Sequence, residues 1–338
     1  MTLPRILLLS LGGTITMTRS LEGGIVPTLT AADLAASVPG LAAVAQIETR
    51  SPLRRPSAGL TLDDLIGVAR TLDARLAGDC DGAVVIQGTD TIEETAFVLD
   101  SLIAGNKPVV VTGAMRGPES AGADGPGNLL AATIVAGSAA ARGLGVLAVL
   151  NDEVHAARLV QKTHTALPSA FRSPLAGPLG LVIESEARIF MRPQRAPVVS
   201  GSLGDEPVPV ALLKMGIGDD GRLLAALPDL GFRGVVIEGM GAGHVPEPLA
   251  EIVSSLVEQI PVILASRAET GPVFSRTYGY PGGEIDLLAR GVLSAGILSG
   301  VKARLLLQIL LRAGVDRAVY APYFADPGSP GLTPQTEA

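Results

Sequence analysis

The strongest constraint on the fold is an alternation in the first half of the chain, where short aliphatic runs are separated by longer stretches of helical period. Four runs, at residues 5–11, 82–87, 108–112 and 145–150, are almost wholly apolar. A strand carries such a run only when both of its faces are covered. Between them, residues 61–77, 91–102 and 125–141 carry the helical pattern. The alternation predicts an α/β fold with a mostly parallel sheet flanked by helices. Two of the helices open with Thr-x-x-acid, Thr61 with Asp64 and Thr91 with Glu94, and a capping box is expected at each.

From about residue 188 the pattern dissolves into M-R-P-Q-R-A-P-V-V-S-G-S-L-G-D-E-P-V-P, a Pro-, Gly- and Ser-rich stretch without periodicity. A smaller series follows, with strands expected at 210–215, 234–237 and 261–264 and helices at 247–258 and 302–313. We therefore expect a larger N-terminal domain over 1–190, a linker over 191–209, a smaller C-terminal α/β domain over 210–325 and a tail over 326–338. A length of 338 residues fits two domains, and 47% hydrophobic against 17% charged residues excludes disorder.

Charge and composition narrow the partners. A net charge of -7 repels a phosphate backbone, and the absence of Trp removes the best base-stacking platform, so no nucleic-acid partner is expected. The single Cys80 permits neither an intrachain disulfide nor a Cys-based zinc site. His155, His164 and His244 are too scattered to suggest a metal ligand set, so no metal and no cofactor are expected. No apolar run is long enough to span a membrane, and the one after Arg5 breaks at Gly12-Gly13. It reads as a buried strand in a cytoplasmic protein with no membrane partner.

Of 26 basic residues only four are Lys, at 107, 162, 214 and 302. Where a generic surface cation suffices this chain uses Arg, so each Lys is a candidate for a role that needs an ammonium able to give up its proton. Lys162 gains most from this argument, because it ends a strand-like stretch in N-D-E-V-H-A-A-R-L-V-Q-K-T.

Two loops repeat one chemical idea at the ends of strands, where open α/β sheets place their ligands. L-S-L-G-G-T puts Thr14 after Gly12-Gly13, and V-V-I-Q-G-T-D-T puts Thr89 and Asp90 after Gly88. In each, Gly lets backbone amides approach a ligand closely and a hydroxyl follows at once. Since Thr91 and Glu94 already supply a cap, Thr89 and Asp90 are left without a structural duty. A third loop, residues 113–130, holds five Gly and two Pro, with Asp124 placed to cap the helix that contains Asn128.

In order and spacing, these segments resemble the bacterial-type L-asparaginase family, in its asparaginase and glutaminase-asparaginase forms. The likeness runs from Gly-Gly-Thr through G-T-D-T-I-E-E-T, A-D-G-P-G-N-L, N-D-E-V with the following Lys-Thr, and G-P-L-G at 177–180, to K-A-R-L-L-L at 302–307. It implies hydrolysis of L-asparagine to L-aspartate and ammonia through a covalent acyl-enzyme, without a cofactor. By position, Thr14 matches the family nucleophile, and Thr89, Asp90 and Lys162 match the second catalytic group. Ser57, in R-P-S-A-G-L, matches the serine that holds the substrate α-carboxylate, and Asp90 also anchors the α-ammonium. The family further implies a homodimer or homotetramer in which one subunit's second domain helps line another's site.

Two departures stand out. The family's loop after the nucleophile carries a Tyr, but residues 16–27 read T-M-T-R-S-L-E-G-G-I-V-P. Where the family has Asn-Gly-Asn, this chain has Ala242-Gly243-His244. The segment T-Y-G-Y-P-G-G-E, 277–284, lies where the family brings an acid to the site from a neighbouring subunit. Tyr278 or Tyr280 is expected to replace the missing Tyr, with Glu284 supporting it and contributing to substrate binding. Two other readings are open at this stage: the amidase subunit of a tRNA-dependent amidotransferase, which resembles the family, and a non-catalytic amino-acid-binding module.

Overall fold

The computed structural model describes residues 2–13, 15, 17–19, 25–27 and 29–326. The chain divides into two compact units, Met1–Arg195 and Ala196–Ala338.

The first unit contains strands β1 (Arg5–Ser10), β2 (Met17–Arg19), β3 (Ile25–Pro27), β4 (Gln46–Arg50), β5 (Gly82–Ile86), β6 (Val109–Thr112), β7 (Val146–Leu150), β8 (Glu153–Ala156), β9 (Gln161–Lys162), β10 (Phe171–Arg172), β11 (Gly180–Ile183) and β12 (Glu186–Ile189). Its helices are α1 (Ala31–Ser37), α2 (Leu41–Val44), α3 (Leu62–Ala77), α4 (Ile92–Leu102) and α5 (Gly125–Gly137). Eight strands form one sheet in the order β12-β11-β8-β7-β6-β5-β1-β4. The stretch from β7 to β4 is parallel, and β8, β11 and β12 extend it antiparallel. Outside this sheet, β2 pairs with β3 and β9 with β10.

Strand periodicity divides the core. Ile6, Leu8, Val84, Ile86, Val110, Leu147 and Val149 pack against α1, α2 and α5. The alternate residues Leu7, Leu9, Val85 and Val111 are equally buried and belong to the opposite face, which α3 and α4 cover. The connections β1 to β4, β4 to β5 and β5 to β6 share one hand, whereas β6-α5-β7 moves the same way as β5-α4-β6 with its helix on the other face. With the first three following the general right-handed rule, the β6-α5-β7 crossover is left-handed. The long Gly- and Pro-rich loop before α5 is what carries the chain across.

Two local expectations fail here. Thr61 and Asp64 form the full capping box of α3, but Thr91 makes no capping bond to α4. A short 3-10 turn, Thr89–Thr91, precedes that helix and turns the Thr91 hydroxyl elsewhere. Asp124 does occupy the N-cap position of α5, yet its carboxylate does not cap. It accepts from the amides of Met115 and Arg116 and from Asn128 Nδ2, folding the 113–124 loop back on itself. The helical pattern at 125–141 also breaks, with α5 ending at Gly137 and a 3-10 turn at Ala139–Ala141.

The second unit holds β13 (Val210–Lys214), β14 (Gly234–Gly239), β15 (Val262–Ser266) and β16 (Leu293–Ser294) in one parallel sheet of that order. Helices α6 (Arg222–Ala226), α7 (Leu249–Gln259), α8 (Glu284–Ala289), α9 (Gly300–Arg312) and α10 (Ala321–Phe324) accompany it. Its core joins Val235, Ile237, Val262 and Leu264 to Leu249, Val253 and Leu256 of α7. The Pro-rich segment before β13 is pinned to α9, with Gly204 N bonded to the Arg312 carbonyl at 3.0 Å. Among the described residues no helix is long and apolar enough to cross a membrane.

A buried histidine makes stability pH-dependent. His155 on β8 is 1% exposed, and its Nδ1 lies 3.0 Å from Ser173 Oγ. Nε2 lies 3.2 Å from Glu153 Oε2 without the alignment of a hydrogen bond. Burial lowers the pKa of His155 from 6.5 to about 4. Between those values the unfolded chain binds the extra proton, so this stability is complete above about pH 6.5 and is lost as pH falls toward 4. The shift corresponds to about 3 kcal/mol at most. Urea midpoints measured from pH 7 to pH 4 should fall, and His155→Gln should flatten that slope; an unchanged slope would remove His155 as its cause.

Candidate active site

The chain reverses direction across the sheet at β1, since β4 lies on one side of it and β5 on the other. The helices after β1 and β5 leave to opposite faces, which opens a crevice beyond the carboxyl ends of these two strands. The candidate residues converge there. Gly12 and Gly13, which follow β1, have φ of +112° and +94°. A Cβ on Gly13 would lie 1.9 Å from the Gly88 nitrogen, and one on Gly12 would lie 2.6 Å from the Arg55 carbonyl oxygen. The loops after β1, β4 and β5 therefore meet backbone to backbone, and only glycine permits it.

The same test places Ser57, since a Cβ on Gly88 would be 2.8 Å from Ser57 Oγ. Ser57 is buried at the start of the turn Ser57–Gly59. The displaced Thr91 hydroxyl explains how this turn is held. Thr91 Oγ1 donates to the Ser57 carbonyl at 3.2 Å and accepts from Gln87 Nε2 at 3.1 Å. Gln87 Nε2 also reaches the Gly88 carbonyl, at 3.2 Å. These two side chains tie the Ser57 turn to the Gly88 loop. Sequence reasoning gives Thr91 only a capping role and passes over Gln87, although a Gln ending an otherwise aliphatic run is a signal.

Lys162 enters from the β9-β10 hairpin, where it pairs with Phe171. Its Nζ donates to Thr89 Oγ1 at 2.9 Å and to Asp90 Oδ1 at 2.7 Å. The lysine side chain is 15% exposed and that of Asp90 is 69% exposed. The ammonium is thus held between a buried hydroxyl and a carboxylate that faces solvent. Because Thr89 Oγ1 already accepts from lysine, its own proton is free for a third group. Asn128 ties the loops after β6 and β7 together, with Nδ2 donating to the Gly113 carbonyl at 2.9 Å and Oδ1 accepting from Asn151 N at 2.9 Å.

Thr14 lies outside the described residues. Its neighbours Gly13 and Ile15 are described: Gly13 abuts Gly88, and Ile15 abuts Gly125 at the start of α5. The first unit thus brings Ser57, Thr89, Asp90 and Lys162 together. Lysine scarcity alone did not single out Lys162. Lys107 binds the carbonyls of Gly78 and Cys80, and Lys302 is 1% exposed, so both are also fixed in place.

The second unit gathers the other candidates. Glu284, the first residue of α8, is fully buried. Its Oε1 accepts from Thr277 N and Tyr278 N, each at 2.8 Å, and its Oε2 lies 3.2 Å from His244 Nε2. Burial pushes the carboxyl up, but the amides of Tyr278, Thr277 and Glu284 itself, with the imidazole, outweigh this and hold its pKa below the ordinary value. Tyr280 OH lies 3.0 Å from His244 Nδ1, and the Tyr278 ring meets the imidazole edge-on at 4.9 Å. The sequence reading weighs His244 only as a metal ligand and as a departure from the family's Asn-Gly-Asn; its partners lie about forty residues further on. Among the described residues no cluster of His, Cys, Asp and Glu could hold a metal ion.

Comparison with known proteins agrees with this architecture. Residues 5–195 match the family model described as asparaginase, N-terminal, and residues 209–324 match that of the glutaminase/asparaginase C-terminal domain. A probable L-asparaginase of Deinococcus radiodurans is 36% identical, over 93% of this chain and 95% of its own. A glutaminase-asparaginase of Pseudomonas aeruginosa is 32% identical, over 93% and 88% respectively. The crystal structure of a probable cytoplasmic L-asparaginase from Campylobacter jejuni superposes with a TM-score of 0.83 at 29% identity, covering 95% of this chain and 99% of that one. With both family models and these relatives matched along nearly its whole length, the chain belongs to the asparaginase family.

Proposed function

We propose that the protein is a cytoplasmic, cofactor-free L-asparaginase that works through an acyl-enzyme on Thr14. The observation that carries this reading is the Lys162 ammonium bound at once to Thr89 Oγ1 and Asp90, beside the contact of Gly13 with Gly88. Thr14 Oγ attacks the side-chain amide carbon and its proton passes to a base. The backbone amides of the Gly88 loop, that of Thr89 included, donate to the oxyanion that develops on the amide oxygen. The C–N bond breaks as the nitrogen takes up a proton, ammonia leaves, and water cleaves the resulting ester to give L-aspartate and free Thr14. Lys162 in its uncharged form is that base: it takes the Thr14 proton through Thr89 Oγ1 and returns it to the departing nitrogen. Ser57 takes the substrate α-carboxylate and Asp90 the α-ammonium.

A coupled ammonia assay on the purified protein with L-asparagine, L-glutamine and both D-enantiomers tests this reading. Release from L-asparagine is expected. A requirement for a partner chain and charged tRNA would point to an amidotransferase subunit, and no release from any amide would point to a binding module.

The Asp90 role has its own test. Asp90→Asn should raise KM for L-asparagine by roughly 10- to 100-fold, the value of a charge-assisted hydrogen bond. It should affect an Nα-acylated asparagine far less. Equal losses on both substrates would mean that Asp90 acts on Lys162 and does not read the amine.

In a homodimer or homotetramer, the second unit of a neighbouring subunit would complete the site, Tyr278 or Tyr280 approaching Thr14 with Glu284 behind them. The full burial of Glu284 favours action through its neighbours over direct contact with substrate. Tyr278→Phe, Tyr280→Phe and Glu284→Gln should show lowered turnover for Glu284 and at least one Tyr; three fully active variants would leave the activation of Thr14 to another group.

A further inference from the structure

We propose that His244 is a positioning residue that commits the Tyr280 hydroxyl to face outward as a hydrogen-bond acceptor, so that the group it receives is an O–H or N–H donor. An ionised Glu284 can only accept, and Oε1 already receives two amides, so the contact between Oε2 and His244 at 3.2 Å requires the proton on Nε2. A neutral imidazole has no second proton. Nδ1 is therefore a bare lone pair, and the 3.0 Å contact with Tyr280 OH is a bond donated by the phenol. Tyr280 has one proton and it points inward. What remains toward solvent is the oxygen's accepting capacity, on a side chain 49% exposed.

The arrangement is fixed and not incidental. Met240 and His244 form a backbone bridge, and Gly243, with φ of +109°, packs so closely that a Cβ there would lie 2.9 Å from Val273 Cγ1. The Tyr278 ring also packs edge-on against the imidazole. The titratable groups brought against the ring are Glu284 from α8 and Tyr278 and Tyr280 from the turn before it. The lowered pKa of Glu284 agrees with an ionised anchor. Protonating His244 would reverse the chain, because Nδ1 would then donate to the phenol oxygen and its hydroxyl would turn outward as a donor. In the reading of the active site given above, on which the choice of receiver rests, the donor is the Thr14 hydroxyl of the resting site, and Tyr280 holds it by accepting that hydrogen bond until the proton passes to Thr89 and Lys162.

The test is a two-bond proton–nitrogen correlation spectrum of the histidine-labelled full-length protein at neutral pH, with His244 assigned from the signal missing in His244→Asn. The neutral Nε2–H tautomer is expected. An Nδ1–H tautomer or an imidazolium overturns the proposal. Turnover adds a second readout, since Asn places its amide oxygen near the position of Nδ1 and Gln places its amide nitrogen near that of Nε2. His244→Gln should lower kcat about tenfold or more, to the level of Tyr280→Phe and with little change in KM, while His244→Asn should retain most of kcat. Equal loss in both variants would reduce His244 to a structural role. Should Tyr280→Phe keep full turnover, the approach of Tyr280 to Thr14 fails, and the tautomer still decides the proton order by itself.

Discussion

Thr14→Ala abolishes ammonia release from L-asparagine and leaves the fold intact. Both halves follow from where the residue stands in the chain. The turn before it is set by Gly12 and Gly13, whose positive φ and backbone contacts with Arg55 and Gly88 do not involve a threonine side chain. Thr14→Ala removes one hydroxyl and one methyl group and leaves both glycines in place. The chemistry has no substitute for the hydroxyl: an amide is a poor electrophile, and without a covalent nucleophile only unassisted water remains. A loss of about 10³-fold or more in kcat is expected, with unchanged circular dichroism and thermal midpoint. A variant with near-normal ammonia release would remove Thr14 from the mechanism.

Lys162→Met should lower turnover by about 10² or more, the usual contribution of a positioned acid-base group. Methionine keeps most of the apolar stem, ends one atom short and donates nothing, so Thr89 Oγ1 and Asp90 Oδ1 each lose the partner they share. Lys162→Arg should fail as well. A guanidinium keeps its proton at any working pH, and its planar fork does not reproduce a point donor that reaches 2.9 Å and 2.7 Å in two directions. The Arg variant separates two explanations. Near-normal activity would show that positive charge alone is needed there, and the proton relay through Thr89 would be wrong.

How much of this was legible in the sequence depended on whether the signal was local. The aliphatic runs that became β1, β5, β6 and β7 are buried on both faces, and a run without polar interruption can mean little else. Strand β4, Q-I-E-T-R, lies at the sheet edge and is polar at four of its five positions, so it carries no such mark. The antiparallel extension turns on two hairpins. Asn151-Asp152, with φ of +54° and +58°, has residues suited to a mirror-image turn, whereas Glu184-Ser185, with φ of +53° and +62°, gives no compositional hint. Thr91 shows the limit most clearly. Its spacing to Glu94 is that of a capping box, but the Ser57 carbonyl, 34 positions away in sequence, claims its hydroxyl. His244 failed for the same reason, since the groups that give it meaning, Tyr280 and Glu284, come together only in the folded unit.

The central claim, a covalent intermediate shared by every substrate, is tested most directly by partitioning with hydroxylamine. L-asparagine and the β-methyl ester of L-aspartate differ only in the group that leaves, ammonia or methanol. If both pass through one β-aspartyl ester on Thr14, hydroxylamine and water compete for the same species. The ratio of β-aspartyl hydroxamate to aspartate, at a fixed hydroxylamine concentration, is then predicted to be identical from the two substrates. A ratio that changes with the leaving group would mean that water attacks the bound substrate directly, and would contradict the acyl-enzyme.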